Sequence, residues 1–407
     1  MSEKMSGGMD GILWVRKLLY MIALGIYSWK TYMYILYWAD TPGLIHRLIS
    51  YAELYLKGAG MILVALEVLI FGCMAAGQIR VRQSGRPADD REQQYRKRYL
   101  LYILTGAAGF VLLCGKAHMF QLFFLVWTVR ELETEKRMKA CLAGSLVFCC
   151  IWLAAWLSGM LVPVTAEFSY GTFGAYGLFH PNVSARIILV TFLTWWYLYG
   201  QTRKILSLVL TILCMLCSAV LFGCRTAVII LLVFAFMIFL LRDAGSVRKW
   251  RERPAVWKGI QIVYTLLPVI FLIVSAVLGI LIVRTSAEQH EIYFFRRFTE
   301  FVTAYREFGF SVLPRDLNAM GKGYFYMDNA FAWMIWEKGL YCAAGLLGWM
   351  CLAMNQIIRK KDRGLIILGF LLTLYAVTEK TLEFPLYIVI LSCLGSFVSA
   401  EKRSTVQ

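Results

Sequence analysis

The chain has 407 residues, of which 60% are hydrophobic, 15% aromatic and only 16% charged, and its mean hydropathy is +0.64. This composition excludes an ordinary soluble domain. The net charge of +17 does not indicate nucleic-acid binding, because the basic residues lie in short segments between apolar runs, the pattern expected from membrane topology and anionic lipid head groups.

The apolar runs predict an all-α polytopic membrane protein with about twelve transmembrane helices. We expect one integral membrane domain over residues 1–407. The loops rich in Lys and Arg should be cytoplasmic, and with them both termini. The predicted spans are 12–38, 58–79, 99–115, 117–129, 140–161, 182–200, 205–222, 226–241, 259–283, 329–356, 364–379 and 384–400.

His180-Pro181-Asn182 opens the sixth span, and Arg186 follows Asn182 on the same helical face, one turn deeper. Proline in a first helical turn beside a polar residue is ordinary helix-start chemistry, so His180 is as consistent with a structural role as with a functional one. Arg186 needs an anionic partner, because a guanidinium inside the membrane is costly to desolvate alone.

Arg225 is the only charged residue between Ile205 and Leu241. That run is long enough for two spans with Arg225 at the turn between them. Because both flanks of the run are basic and therefore cytoplasmic, Arg225 is expected at the outer surface. Two interpretations stay open: a functional site with an anionic partner, or an arginine that reaches lipid phosphates.

The outer loop 284–327 is the largest, and it is expected to contain an interfacial amphipathic helix over residues 291–308. Aromatic residues recur there at helical spacing, with Arg296 and Arg297 between them. The aromatic face can rest on acyl chains or on the bundle while the arginines reach the phosphates. The helix is either a mobile cover over a site or a segment that only packs on the bundle.

Asp328 and Asn329 open the tenth span at the same predicted membrane face. We expect Arg186, Arg225 and Asp328 to line one outer cavity that holds an anionic substrate. Further acid or base candidates are Glu379 and Glu383, which bracket the last outer turn. Lys30 and Glu67 are intramembrane charges that are expected to pair with each other, and Glu337 and Lys338 are expected to lie inside the bundle.

Outer arginines beside an Asp or a His suit glycosyl transfer from a lipid pyrophosphate. Guanidinium groups match phosphate oxygens and stabilise a charged leaving group in a low-dielectric site. The acceptor hydroxyl needs a base for its proton. The outer loops contain no carboxylate pair with metal-ligand spacing and no glycine-rich nucleotide cradle, so we expect no metal and no cofactor.

Three short segments resemble motifs of the O-antigen ligase and polysaccharide polymerase superfamily of bacterial membrane glycosyltransferases. The ligases have His-Asn where this chain has Asp-Asn, and a serine where this chain has a cysteine before the arginine. The first departure looks more like the polymerases of capsular or exopolysaccharide pathways. The segments are His180-Pro181-Asn182, Cys224-Arg225-Thr226-Ala227, and Asp328-Asn329 followed by Gly339.

The resemblance implies a metal-independent polymerase in a bacterial cytoplasmic membrane that transfers a growing glycan from undecaprenyl pyrophosphate onto a lipid-linked repeat unit. Its partners would be the lipid-linked oligosaccharide, membrane lipids, and export and chain-length proteins. A ligase acting on a lipid, wall or protein acceptor is the alternative enzyme, and a twelve-span transporter or flippase is less favoured because no internal repeat is visible. The expected catalytic residues are Arg225, Asp328 and His180, and the expected substrate-binding residues are Arg186, Asn182, Asn329, Arg296 and Arg297.

Overall fold

The computed structural model is mostly helical and divides into two compact units, Met1–Val162 with Gly395–Gln407, and Pro163–Leu394. The expected spans 58–79, 99–115 and 117–129 lie outside the described residues, as do Lys30, Glu67 and Glu383. The described residues are 18–19, 21–28, 51, 133–168, 170–178, 180–240, 253–285, 293–315, 317, 327–379 and 385–393.

In the first unit, helix α1 (Thr134–Leu157) packs against the helical segment 21–28. The two backbones approach closely at a pair of glycines, because a Cβ on Gly144 would lie 2.6 Å from the carbonyl oxygen of Gly25. Small residues allow such contacts between membrane helices. The helix begins at Thr134, before the predicted fifth span, 140–161, and Glu135 and Lys139 form an ion pair of 2.6 Å in its first turns.

The second unit begins with a β-hairpin that was not predicted from the sequence. Strand β1 (Thr165–Phe168) pairs antiparallel with β2 (Gly171–Gly174), with Phe168 opposite Gly171. The helices that follow are α2 (Pro181–Trp195), α3 (Lys204–Leu216), α4 (Arg225–Leu240), α5 (Pro254–Thr285), α6 (Tyr293–Phe308), α7 (Ala330–Trp336), α8 (Gly339–Lys360), α9 (Arg363–Tyr375) and α10 (Pro385–Leu391). Two of them, α2 and α3, continue as π-helical turns, Trp196–Gly200 and Cys217–Leu221.

Several helices have the length and surface of membrane-spanning segments. Large aliphatic and aromatic side chains point away from the protein, among them Ile205 (82% exposed) and Phe239 (69% exposed). Such surfaces fit an acyl-chain environment better than water. The five helices that are long and apolar enough to cross a membrane are Thr134–Leu157, Pro181–Gly200, Lys204–Leu221, Pro254–Arg284 and Gly339–Lys360. The fold is therefore that of a helical membrane protein.

The predicted tenth span, 329–356, is not one helix. Helix α7 ends at Trp336 and α8 begins at Gly339, whose φ of 79° lies in the left-handed region. A residue in that region interrupts the hydrogen-bond ladder of a right-handed helix. The long apolar run concealed this break, and only its second part is long enough to cross a membrane.

The break between α7 and α8 is filled by the loop that follows α6. Arg315 Nε donates to the carbonyl oxygen of Trp336 at 3.2 Å, at the end of α7. A Cβ on Gly339 would lie 2.6 Å from the carbonyl oxygen of Val312. Because the loop backbone occupies this space, glycine is the residue that fits here.

Helix α6 occupies most of the predicted amphipathic segment, 291–308, and packs along α5. Gly279 of α5 makes this close approach possible, because a Cβ there would collide with the carbonyl oxygen of Phe298. Phe298, Phe301 and Ala304 are buried on the contact side of α6, whereas Tyr305 is exposed. Part of the aromatic stripe, Phe298 and Phe301, therefore packs inside the protein, and Tyr305 lies at the surface.

Candidate functional site

His180 and Asn182 build the N-terminus of α2. His180 has an extended backbone and its Nδ1 accepts the backbone N–H of Asn182 at 3.2 Å, while Pro181 occupies the first helical turn. Burial lowers the pKa of His180 and so favours the neutral ring. Because Nδ1 is an acceptor, the proton of the neutral ring lies on Nε2. His180 can therefore donate a hydrogen bond from Nε2, but it presents no basic nitrogen there.

Arg225 begins α4, directly after a turn in which Gly223 has a φ of 58°. Its guanidinium carbon lies 3.5 Å from the centroid of the Tyr170 ring, which is a cation–π contact. The Tyr170 hydroxyl, at the tip of the β-hairpin, donates to the carbonyl oxygen of Gly223 at 2.8 Å. The hairpin is thereby held over the start of α4, while the Arg225 side chain stays exposed and pairs with no carboxylate in the described part of the chain.

A cavity of about 340 Å³ opens beside this arginine. Among its lining residues Arg225 is the only charged one, and the others are aromatic, aliphatic or small. A cation at the wall of an apolar cavity can bind an anionic group that is attached to an apolar chain. The lining residues are Tyr170, Phe173, Ala219, Gly223, Arg225, Val228 and Ile229.

A second group of charges is buried where α2, α6 and the segment after α9 meet. Arg297 Nη2 lies 2.9 Å from Glu379 Oε1, and Arg186 Nη1 lies 3.9 Å from Glu379 Oε2. Arg297 also donates from Nη1 to Thr226 Oγ1 at 2.7 Å. Arg186 and Arg297, both expected to bind substrate, thus share a protein carboxylate, which stabilises their buried charges.

Asp328 is the member of this group that reaches the surface. Its Oδ2 lies 3.5 Å from Arg297 Nε, and its side chain is 19% exposed, compared with 4% for Glu379. Its charge also acts on His180, so the two side chains lie close enough to interact. A carboxylate that is held by a guanidinium and open to an incoming molecule can take up a proton during a reaction.

Asn329 and Glu300 support the segment that carries Asp328. Asn329 is fully buried, and its Oδ1 accepts the backbone N–H groups of Phe331 and Ala332 at 2.9 and 3.2 Å, which caps α7. The Glu300 carboxyl accepts the backbone N–H groups of Asp328 and Asn329 at 3.1 and 2.9 Å. Asn329, an expected substrate ligand, therefore has a structural task.

Glu300 was not identified from the sequence, although a signal was available. It follows Arg297 by three residues, which places both on one face of α6. A helix face that carries an Arg and a Glu beside buried aromatic residues is a candidate for an internal polar cluster. The side chain of Arg296, also an expected substrate ligand, lies outside the described residues.

The single outer cavity expected for Arg186, Arg225 and Asp328 is replaced by two adjoining sites. Arg225 lines the open cavity, whereas Arg186 and Asp328 belong to the buried group. The sites are adjacent, because Thr226 follows Arg225 directly and accepts from Arg297. Glu337 and Lys338 form an ion pair of 2.6 Å in the break between α7 and α8, where Lys338 is buried and Glu337 is partly exposed.

A scan against protein-family models and searches among curated proteins and solved structures found no match to this chain. Within the described ranges, no group of three or more His, Cys, Asp and Glu side chains is placed to hold a metal ion. The structure is that of a helical membrane protein in which an open cavity lined by Arg225 lies beside a buried cluster of ion pairs.

Proposed function

We propose that this protein is a polysaccharide polymerase of a bacterial cytoplasmic membrane. It transfers a growing glycan from undecaprenyl pyrophosphate onto the terminal sugar of a lipid-linked repeat unit at the outer face. The observation that carries the proposal is the cavity of about 340 Å³ in which Arg225 is the one charged lining residue. A lipid pyrophosphate combines the two properties that this cavity can recognise, an anionic head and an apolar chain.

The donor is bound at this cavity. Arg225 contacts oxygens of the pyrophosphate, and the Val228 and Ile229 side chains contact the first part of the isoprenoid chain. When the glycosidic bond breaks, negative charge accumulates on the departing pyrophosphate, and a guanidinium already in position stabilises it. The contact with Tyr170 fixes Arg225 in place, so little reorganisation is needed during the reaction.

The acceptor sugar is activated at Asp328. Asp328 is more exposed than Glu379 or Glu300, which makes it the carboxylate of the cluster that an acceptor can approach. It takes the proton of the attacking hydroxyl, while His180 donates from Nε2 to a neighbouring sugar oxygen and orients the acceptor. Attack on the face opposite the pyrophosphate inverts the anomeric carbon.

The proposal is tested with purified protein and a defined oligosaccharide linked to undecaprenyl pyrophosphate. We expect oligomers of the repeat unit to appear on the lipid carrier by gel and mass analysis, and EDTA to leave their formation unchanged. Asp328→Asn should remove the product, whereas Glu307→Gln, at an exposed position of α6, should not. Transfer of the intact glycan to an added lipid, wall or protein acceptor would instead identify a ligase, and movement of the unchanged substrate across a bilayer would identify a transporter.

A further inference from the structure

Glu300 contacts the backbone of the segment that bears Asp328. Its Oε1 accepts the N–H of Asp328 at 3.1 Å and its Oε2 accepts the N–H of Asn329 at 2.9 Å. One carboxyl group on α6 thus holds two consecutive peptide groups. Because Glu300 is buried, water does not compete strongly for these hydrogen bonds.

The two contacts restrict the direction of the Asp328 side chain. With its own N–H and the next one held, the backbone of Asp328 has little freedom to rotate. Arg297, one turn earlier on the same helix, contacts the Asp328 carboxylate itself. Helix α6 therefore positions both the backbone and the side-chain charge of Asp328, through Glu300 and Arg297 respectively.

We propose that Glu300 is a positioning residue, which holds Asp328 in the orientation needed to accept a proton. This orientation depends on whether Glu300 is ionised. This inference rests on the proposed function, because it assigns Asp328 its task as a base. Glu300 itself does not touch the substrate. A carboxylate accepts both peptide N–H groups more strongly than a protonated carboxyl, so ionisation of Glu300 tightens the contact.

The protonation of Glu300 responds to the charges around it. Burial and the nearby Asp328 raise its pKa, while the two peptide N–H groups and Arg297 lower it, with a net result of about 8. Of the described residues, Arg297 on α6 and Asp328 before α7 are the charged groups that act on Glu300. Helix α5, which packs against α6, contributes no charge at its close approach, where Gly279 lies against Phe298. Glu300 therefore changes its charge within the range in which a membrane enzyme is assayed.

The first measurement is the pH dependence of polymer formation. Between pH 7 and pH 9 the ionised fraction of a group with a pKa near 8 rises about tenfold, and the polymerisation rate of the unchanged protein should rise with it. Glu300→Gln keeps the size of the side chain but does not titrate, so its rate should be low and should lose this rise. Glu307→Gln is the matched control on the same helix and should keep it. A variant that is slower by the same factor at every pH would show a merely structural role and overturn the proposal.

The second measurement does not require activity. Hydrogen–deuterium exchange at the Asp328 and Asn329 amides, compared at each pH between the unchanged protein and Glu300→Gln, should be faster in the variant and most clearly so above pH 8. Equal exchange in both proteins would overturn the positioning role. If the unchanged protein forms no polymer at any pH, the proposed function fails, and the exchange difference still decides whether Glu300 holds this backbone.

Discussion

Arg297 and Glu379 form an ion pair with 2.9 Å between Nη2 and Oε1, and each side chain is only 4% exposed. Arg186 approaches the other oxygen of Glu379 at 3.9 Å. One buried carboxylate therefore serves two guanidinium groups from different helices. Buried charges of this kind are tolerated only with partners, so Glu379 contributes to holding α2 and α6 together.

Removing Glu379 should destabilise the protein more than removing Arg297. Glu379→Ala removes the buried carboxylate that Arg186 and Arg297 share, and leaves Arg297 with Asp328 at 3.5 Å. Arg297→Ala leaves Glu379 with Arg186, and takes the guanidinium from Asp328, whose side chain is 19% exposed and so partly hydrated. Breaking a buried ion pair typically costs about 3–5 kcal/mol. In thermal unfolding of the purified protein in detergent, we expect Glu379→Ala to unfold at a lower temperature than Arg297→Ala. Glu307→Ala, at an exposed position, should unfold at the same temperature as the unchanged protein. Unfolding of Glu379→Ala at the unchanged temperature would contradict the assignment.

Gly339 should be far more sensitive to substitution than Gly345. Gly339→Ala forces an alanine into a φ of 79° and against the backbone of the loop before α7, at a cost of about 1–3 kcal/mol. Gly345 lies within α8 with open space around it, so Gly345→Ala should be neutral or stabilising by up to about 1 kcal/mol. Unfolding midpoints of the two variants compare the positions directly, and equal midpoints would refute the role of Gly339.

Several helix limits could be predicted closely from the sequence. The expected spans 182–200 and 226–241 correspond to Pro181–Gly200 and to Arg225–Leu240. The predicted and observed limits agree because the signals that set them are local in the sequence: a proline, an arginine after a glycine turn, and the ends of the apolar runs. The same pattern predicted Arg225 at the turn just before this span, and in the structure Arg225 is the first residue of the helix.

Other features depend on contacts that no local pattern contains. The run 329–356 is apolar enough for one helix, and only the loop around Val312 explains why Gly339 interrupts it. The burial of Arg297 depends on Glu379, a residue distant in sequence, and so could not be inferred from the amphipathic pattern of α6. The position of the hairpin over α4 depends on the contact of Tyr170 with Arg225, a residue distant in sequence.

Cys224 should not act as a nucleophile, even though it stands directly before Arg225. Burial raises the pKa of its thiol to about 12, so the reactive thiolate is almost absent at neutral pH. Cys224→Ser preserves the size of the side chain and should keep polymer formation within about twofold of the unchanged protein. The rate with a defined lipid-linked substrate checks this expectation. Complete loss of polymer from a folded Cys224→Ser protein would contradict it.

The most direct test of the account compares Arg225 variants in the purified polymerisation assay. Arg225→Ala should abolish polymer while the protein remains monodisperse, and Arg225→Lys should restore only part of the rate, because an ammonium cannot hold two phosphate oxygens as a guanidinium does. Loss of such a contact to a leaving group typically lowers the rate about a hundred-fold or more. Arg306→Ala, at an exposed position of α6, is the control and should polymerise normally. Near-normal polymer from Arg225→Ala would contradict the assignment of this cavity to the lipid pyrophosphate.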